Sequence, residues 1–202
     1  MTPHPSFTGV LLAGGQSRRM GFDKALLPIG NQTLMHRQLA LLQAAGASEI
    51  WLSCGASPDF RPLPAGVPVR LIRDVFPNSG PLAGIAAALE IAREERVFVL
   101  AVDMPGITEE LVRCLLSLSP ERCGVAPVIE GRYETVSAVY PRCALAQAEQ
   151  FLRTGQFGLQ RFIALGVEEG WMKPWPVPLE CLAAFVNWNS PEDVTGSGTI
   201  QP

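Results

Sequence analysis

Apolar and polar positions along the chain follow two alternating rhythms. Short apolar runs are separated by stretches in which apolar residues recur at helical spacing, the signature of an α/β protein with a largely parallel sheet. Residues 7–13 predict a first strand, broken by Gly14-Gly15. After a polar loop, Met35, Leu39 and Leu42 predict a helix, and Gly46 suits the position just past its end. Residues 50–54 and 67–72 predict the second and third strands, joined by a loop rich in proline and glycine at 57–66. Gly80-Pro81 predicts a helix start, because the N–H that proline lacks would be unpaired in a first turn. Leu82, Ile85 and Leu89 then face one way. Residues 97–102 are apolar on both faces, which predicts a central, buried parallel strand.

That strand stops at Asp103-Met104-Pro105. Thr108 is a good N-cap for the next helix, with Glu109 and Glu110 near its positive end and Leu111, Leu115 and Leu118 as its buried stripe. Farther along, strands are expected at 125–129 and 136–140 with a turn at Glu130-Gly131, and helices at 145–153 and 159–165. Residues 171–177 read as extended, and 184–187 as a short final strand. No repeat or linker divides the pattern, so residues 1–202 are expected to form a single domain, ordered from about 7 to 194, with a flexible polar tail at 195–202.

Composition narrows the function classes. With 48% hydrophobic and 17% charged residues the chain can build a core. Sixteen basic against nineteen acidic side chains leave a net charge of −3, which argues against a nucleic-acid partner. No apolar run approaches the ~18–20 residues of a membrane span. The first six residues lack the basic and apolar regions of a secretory signal, so a cytoplasmic location is expected. Five widely spaced cysteines with no Cys-x-x-Cys pair read as small buried hydrophobes. Two histidines, His4 and His36, give a histidine-based triad or metal site little to build on.

The candidate chemistry concentrates where strands end. Leu12-Ala13-Gly14-Gly15-Gln16-Ser17-Arg18-Arg19-Met20-Gly21-Phe22-Asp23-Lys24 places three glycines and three cations just after a strand. Glycines let backbone N–H groups approach an anion, and Arg19 and Lys24 could neutralise a polyphosphate. Neither a Walker-type P-loop nor a Gly-x-Gly-x-x-Gly fingerprint is present, and an ordinary turn with solvated arginines is the competing reading. Asp103, at the carboxyl end of a dry strand, is where open α/β sheets bind ligands, and its carboxylate suits Mg²⁺. A turn-capping aspartate is the alternative. Asp74, after the third strand, falls at the same end. Ser79-Gly80-Pro81-Leu82-Ala83-Gly84 would bring a positive helix end toward any ligand, or else simply make a well-packed helix start.

These residues resemble the signature of the MobA-like nucleotidyltransferases. The resemblance lies in residues 12 to 24, in Gly80-Pro81-Leu82-x-Gly84, in Asp103-x-Pro105 and in Asn187-x-Asn189-x-Pro191-Glu192-Asp193, and it covers roughly residues 8 to 194. It implies a three-layer α/β/α Rossmann-like fold with a mostly parallel central sheet, of the nucleotide-diphospho-sugar transferase type. The implied reaction is transfer of GMP from GTP to molybdopterin with release of pyrophosphate. By this likeness Leu12, Ala13, Gly14, Gly15, Ser53, Asp74, Gly80, Pro81 and Leu82 would line the nucleotide site. Arg19 and Lys24 would contact the phosphates, Asp103 would hold Mg²⁺, and Gly84, Arg161, Asn187 and Asn189 would lie toward the acceptor. Transient contact with proteins that supply or receive the cofactor is also implied.

The chain departs from the family pattern in three places. It has Glu134-Thr135-Val136 where a Gln-Pro-Leu-like run is common, Gln156-Phe157-Gly158 where a Gly-x-Arg-rich segment is expected, and Ser53 where asparagine is frequent. Two alternatives therefore stay open: the same reaction with CTP or with a sugar or alcohol phosphate as acceptor, and a nucleotide-binding protein without turnover.

Overall fold

A computed structural model describes residues 5–14, 24–54, 63, 68–72 and 79–188. Their frame is a sheet whose order is set by the crossovers between β1 (Thr8–Leu12), β4 (Glu49–Ser53), β5 (Val69–Ile72), β6 (Arg96–Ala101), β7 (Gly124–Ile129), β9 (Ser137–Pro141) and β10 (Met172–Pro176). The strands lie side by side as β10-β7-β9-β6-β1-β4-β5, with the two-residue β8 (Arg132–Tyr133) added against β7. All pairs are parallel except those made by β8 and β9, so the sheet is mixed but mostly parallel. A separate two-stranded ribbon, β2 (Pro28–Ile29) with β3 (Gln32–Thr33), precedes the first helix.

Strand alternation sorts side chains into two cores, one on each face of the sheet. Phe7, Leu11, Phe98 and Leu100 point to one face, where α1 (Leu34–Ala44) and α3 (Glu109–Leu118) cover them. Val10, Val97 and Val99 point to the other, under α2 (Pro81–Ile91), α4 (Leu145–Arg153) and α5 (Leu159–Glu168). This is the expected three-layer α/β/α arrangement. β6 lies fourth of the seven strands on this path, and from Val97 to Ala101 its residues are all buried, as its unbroken apolar run predicted.

Most predicted elements form, and the differences have physical causes. Thr108 caps α3 by accepting the Leu111 N–H, and Thr33 caps α1 in the same way through His36. α2 is buried from Leu82 through Leu89 instead of along one stripe, because α4 packs over its outer side. The β2–β3 ribbon falls in what the pattern showed only as a polar loop; its signal was Gly30-Asn31, with Gly30 at φ 58°. Residues 184–187 are not a strand. Leu179–Phe185 form a 3-10 helix that buries Phe185, and the Trp188 N–H goes to Asp103 O instead of to a ladder. Of the five cysteines only Cys54 is fully buried, and Cys143 is exposed. No helix among the described residues is long and apolar enough to cross a membrane.

Candidate active site

Parallel register brings three strand ends into one row. Leu12 stands beside Ser53 on one side and Ala101 on the other. Two hydrogen bonds extend this row past the last ladder residues: Ala13 N–H donates to Ser53 O at 2.9 Å, and Val102 N–H donates to Leu12 O at 3.1 Å. Asp103 follows immediately, at the carboxyl edge of the sheet. The start of α2 reaches the same edge. Gly80 sits there with φ 65°, and Pro81 opens the helix without a side-chain cap. Gly84 is buried one turn later, so close to its neighbours that a Cβ would stand 2.7 Å from Ser53 Oγ and 3.1 Å from Leu12 Cδ2. That face of Gly84 is packed against the strand ends.

The charged pair of the site is Lys24 and Asp103. Lys24 opens a 3-10 turn, Lys24–Leu26, and its Nζ donates to Asp103 Oδ2 at 3.0 Å across 79 residues of sequence. The side chains are 16% and 24% exposed, enough for a ligand to reach them and little enough for solvent screening to be incomplete. Among the described residues the carboxylate is paired only through Oδ2.

The turn that presents Asp103 is anchored from several directions. Its carbonyl accepts the Trp188 N–H at 2.8 Å, which brings exposed Asn187 next to it. Met104 O accepts Gln38 Nε2 at 2.7 Å, and Pro105 O accepts Arg37 Nη2 at 2.8 Å. Gly106 lies against the 3-10 helix so tightly that a Cβ would meet Ala184 Cα and O at 2.9 Å. These anchors were not foreseen. The one available signal was Gln38, a polar residue on the apolar stripe of Met35, Leu39 and Leu42.

The structure thus gathers Leu12, Ala13, Gly14, Lys24, Ser53, Gly80, Pro81, Leu82, Gly84, Asp103 and Asn187 at one end of the sheet. Gly15, Arg19, Asp74 and Asn189 lie outside the described residues. Arg161 is exposed on the first turn of α5, beside Gln160, which bonds the backbone of Tyr133 in β8. It therefore belongs to the neighbourhood of β7 and β8, away from the Lys24–Asp103 pair.

Between these two zones runs the divergent segment 134–136. Val136 O accepts the Ala101 N–H at 2.7 Å, Thr135 O accepts the Tyr140 hydroxyl at 2.6 Å, and Glu134 N–H donates to Pro127 O at 2.8 Å. Burial pushes the Glu134 carboxyl above its ordinary range, partly offset by Arg132, and burial pushes the Tyr140 hydroxyl up as well. A separate, open depression of about 390 Å³ lined by Ser6, Glu94, Glu95, Arg96, Glu121 and Arg122 lies at the opposite, amino end of the strands and shares no residue with this site.

Comparison with known proteins gives the family and the fold. The MobA-like NTP transferase domain matches residues 9–170. A protein of Opitutus terrae named "Probable molybdenum cofactor guanylyltransferase" is 37% identical over 191 residues, 93% of each chain. Two solved structures share the fold. Molybdopterin-guanine dinucleotide biosynthesis protein A from Archaeoglobus fulgidus has a TM-score of 0.69 at 22% identity, covering 93% of this chain and 95% of that one. The 2-C-methyl-D-erythritol 4-phosphate cytidylyltransferase of Thermus thermophilus has a TM-score of 0.65 at 18% identity, covering 92% and 94%. With the domain match spanning most of the chain and a relative alike along nearly its whole length, this chain belongs to the family of MobA-like NTP transferases.

Proposed function

We propose that the chain transfers GMP from GTP to molybdopterin, forming the guanine dinucleotide cofactor and releasing pyrophosphate. The observation that carries this reading is the Lys24–Asp103 pair, with Asp103 just past the carboxyl end of β6, in a chain 37% identical along 93% of its length to a protein named "Probable molybdenum cofactor guanylyltransferase". A cation and a carboxylate 3.0 Å apart let one site receive both an anionic polyphosphate and a divalent metal.

The chemistry asks little of acid–base groups. The terminal phosphate of molybdopterin is already anionic near neutral pH, so its oxygen can attack the α-phosphorus of GTP without a strong base. A bond forms from that oxygen to the α-phosphorus, the bond to the bridging oxygen breaks, and pyrophosphate leaves with the electron pair. The protein must align attacking and leaving oxygens and stabilise the charge that builds on the departing group. Leu12, Ala13 and Gly14 would set the nucleotide against the strand ends, Gly80 to Leu82 would offer the positive end of α2, and Lys24 and Arg19 would meet the phosphates. Asn187 and Asn189 would face the acceptor, with Gly84 and Arg161 on the acceptor side.

Mg²⁺ is the expected metal, and Asp103 fits it: a hard carboxylate oxygen donor, partly open to solvent, in a site where phosphate oxygens and water can complete the shell. When bound, the metal would neutralise charge on the phosphates. Among the described residues no cluster of three or more His, Cys, Asp or Glu offers a denser cage.

A second reading replaces GTP by CTP. It stands on Ser53, buried beside Leu12 where the family pattern often has asparagine. The deciding experiment follows pyrophosphate release from GTP and from CTP, each with and without purified molybdopterin. Release from GTP only when molybdopterin is present is expected. Turnover with CTP alone would replace the proposal by the second reading. Binding of GTP without turnover on any acceptor would reduce the chain to a nucleotide-binding protein.

A further inference from the structure

We infer that Gln38 and Arg37 of α1 are positioning residues for Asp103. They fix the turn that carries the carboxylate and so set how tightly the site holds a metal-loaded triphosphate. This rests on the reading of Asp103 given above.

Gln38 is fully buried on the core face of α1, among Leu34, Met35, Leu39 and Leu42. A primary amide there has two groups to satisfy. Nε2 donates to Met104 O at 2.7 Å, but Oε1 is buried without a hydrogen-bond partner among the described residues. An apolar side chain of the same length would remove the unpaired Oε1 but leave Met104 O with the Ile107 N–H at 3.3 Å. What the amide supplies instead is its hold on the carbonyl next to Asp103.

Arg37 supplies the complementary hold. Its Nε and Nη2 both donate to Pro105 O, at 3.3 and 2.8 Å. Consecutive residues on a helix point roughly 100° apart, so the half-buried Arg37 and the buried Gln38 grip consecutive carbonyls from different directions. Ser137 Oγ adds a contact to Met104 Sδ at 2.8 Å. The same helix also reaches Lys24. Leu34 N–H, at its first residue, donates to Leu27 O, and Leu27 N–H donates to Lys24 O, at 2.9 and 3.1 Å. One element thus fixes the backbone on both sides of the Lys24–Asp103 pair, the kind of support on which metal ligands depend.

The test titrates preformed equimolar Mn²⁺–GTP into the full chain and follows the protein-bound complex by its electron paramagnetic resonance. It compares wild type with Gln38→Met, Arg37→Ala, Arg37→Lys and Asp103→Ala, and uses Arg153→Ala, a surface partner of Glu149, as control. Gln38→Met and Arg37→Ala are expected to raise the half-saturating Mn²⁺–GTP concentration about tenfold. They should raise the KM for metal-loaded GTP by a similar factor with a smaller change in kcat, while Gln38→Met keeps a cooperative melt. Arg37→Lys should recover part of the loss, and Arg153→Ala should match wild type. If Asp103→Ala loses Mn²⁺–GTP but Gln38→Met and Arg37→Ala bind it like wild type, the positioning role is overturned and the reading of Asp103 stands. If Asp103→Ala itself binds Mn²⁺–GTP like wild type, both fall. Should Gln38→Met fail to fold, the two Arg37 variants decide alone.

Discussion

Two acid-bearing turns leave the carboxyl edge of the same sheet, and they are built on opposite principles. The turn after β7 carries Glu130 and Gly131 at φ 50° and 77° and folds straight back into β8. Its backbone path is local, a left-handed pair and a two-residue return, and one distant group, Gln160 of α5, clasps both backbone groups of Tyr133. The turn after β6 carries Asp103; a local bond from Ile107 N–H to Met104 O at 3.3 Å closes part of it, and distant groups supply the rest. Trp188, Gln38 and Arg37 hold its carbonyls, and Ala183 and Ala184 wall it in at Gly106. A local turn can lose its neighbours and keep its shape, whereas one assembled from distant parts holds its shape only while they stay packed. If Asp103 meets a metal and a triphosphate as proposed, it gains from the second design, since rigid placement lowers the cost of ordering it at the moment of binding.

The largest expected effect is at the carboxylate itself. Asp103→Ala should reduce pyrophosphate release on the order of a thousandfold, with a cooperative melt retained. Wild-type rates at saturating Mg²⁺ would show that the assembled turn serves another purpose. The Glu130→Ala counterpart has no comparable group to lose and should leave turnover unchanged.

Next come the two glycines, which separate the designs most cleanly. A Cβ on Gly106 would meet backbone atoms of Ala184 at 2.9 Å, so Gly106→Ala must push the 3-10 helix away. We expect a stability loss of about 1–3 kcal/mol by chemical denaturation, and a fall in rate on the order of tenfold or more as Asp103 shifts. A Cβ on Gly131 meets nothing within 4 Å, and only its φ of 77° resists. Gly131→Ala should therefore cost about 1 kcal/mol of stability and leave the rate alone. Equal rate losses in both variants would erase the distinction between the turns.

The same contrast explains what could be read from the chain. The Glu130-Gly131 turn was legible because its instructions sit in adjacent residues. So were the strand at Val97–Ala101, the Thr108 cap and the proline-started α2, each a local rule obeyed. Lys24 and Asp103 were legible as chemistry, by residue type and by place after a strand. Their pairing was not, since they stand 79 positions apart and nothing local specifies the meeting. The Asp103 anchors were hidden for the same reason. Gln38 stood out only as a polar interruption of an apolar stripe.

The smallest expected effect lies between the turns, at Glu134. Its carboxyl is half-buried beside the local turn, and burial raises its pKa more than Arg132 lowers it. A raised carboxyl pKa means the folded protein holds the proton more tightly than the unfolded chain does. The stabilising contribution of the protonated group is then complete below the unfolded-state value, 4.5, and is lost as pH rises through the folded-state value. Glu134→Gln keeps the shape and removes the charge. It should therefore melt higher than wild type at about pH 8 and lose that advantage by about pH 4. A difference independent of pH would mean that shape, not buried charge, governs the segment. A difference of opposite sign would mean that the ionised carboxylate is held by a favourable partner, and the segment beside the local turn would then belong with the assembled one.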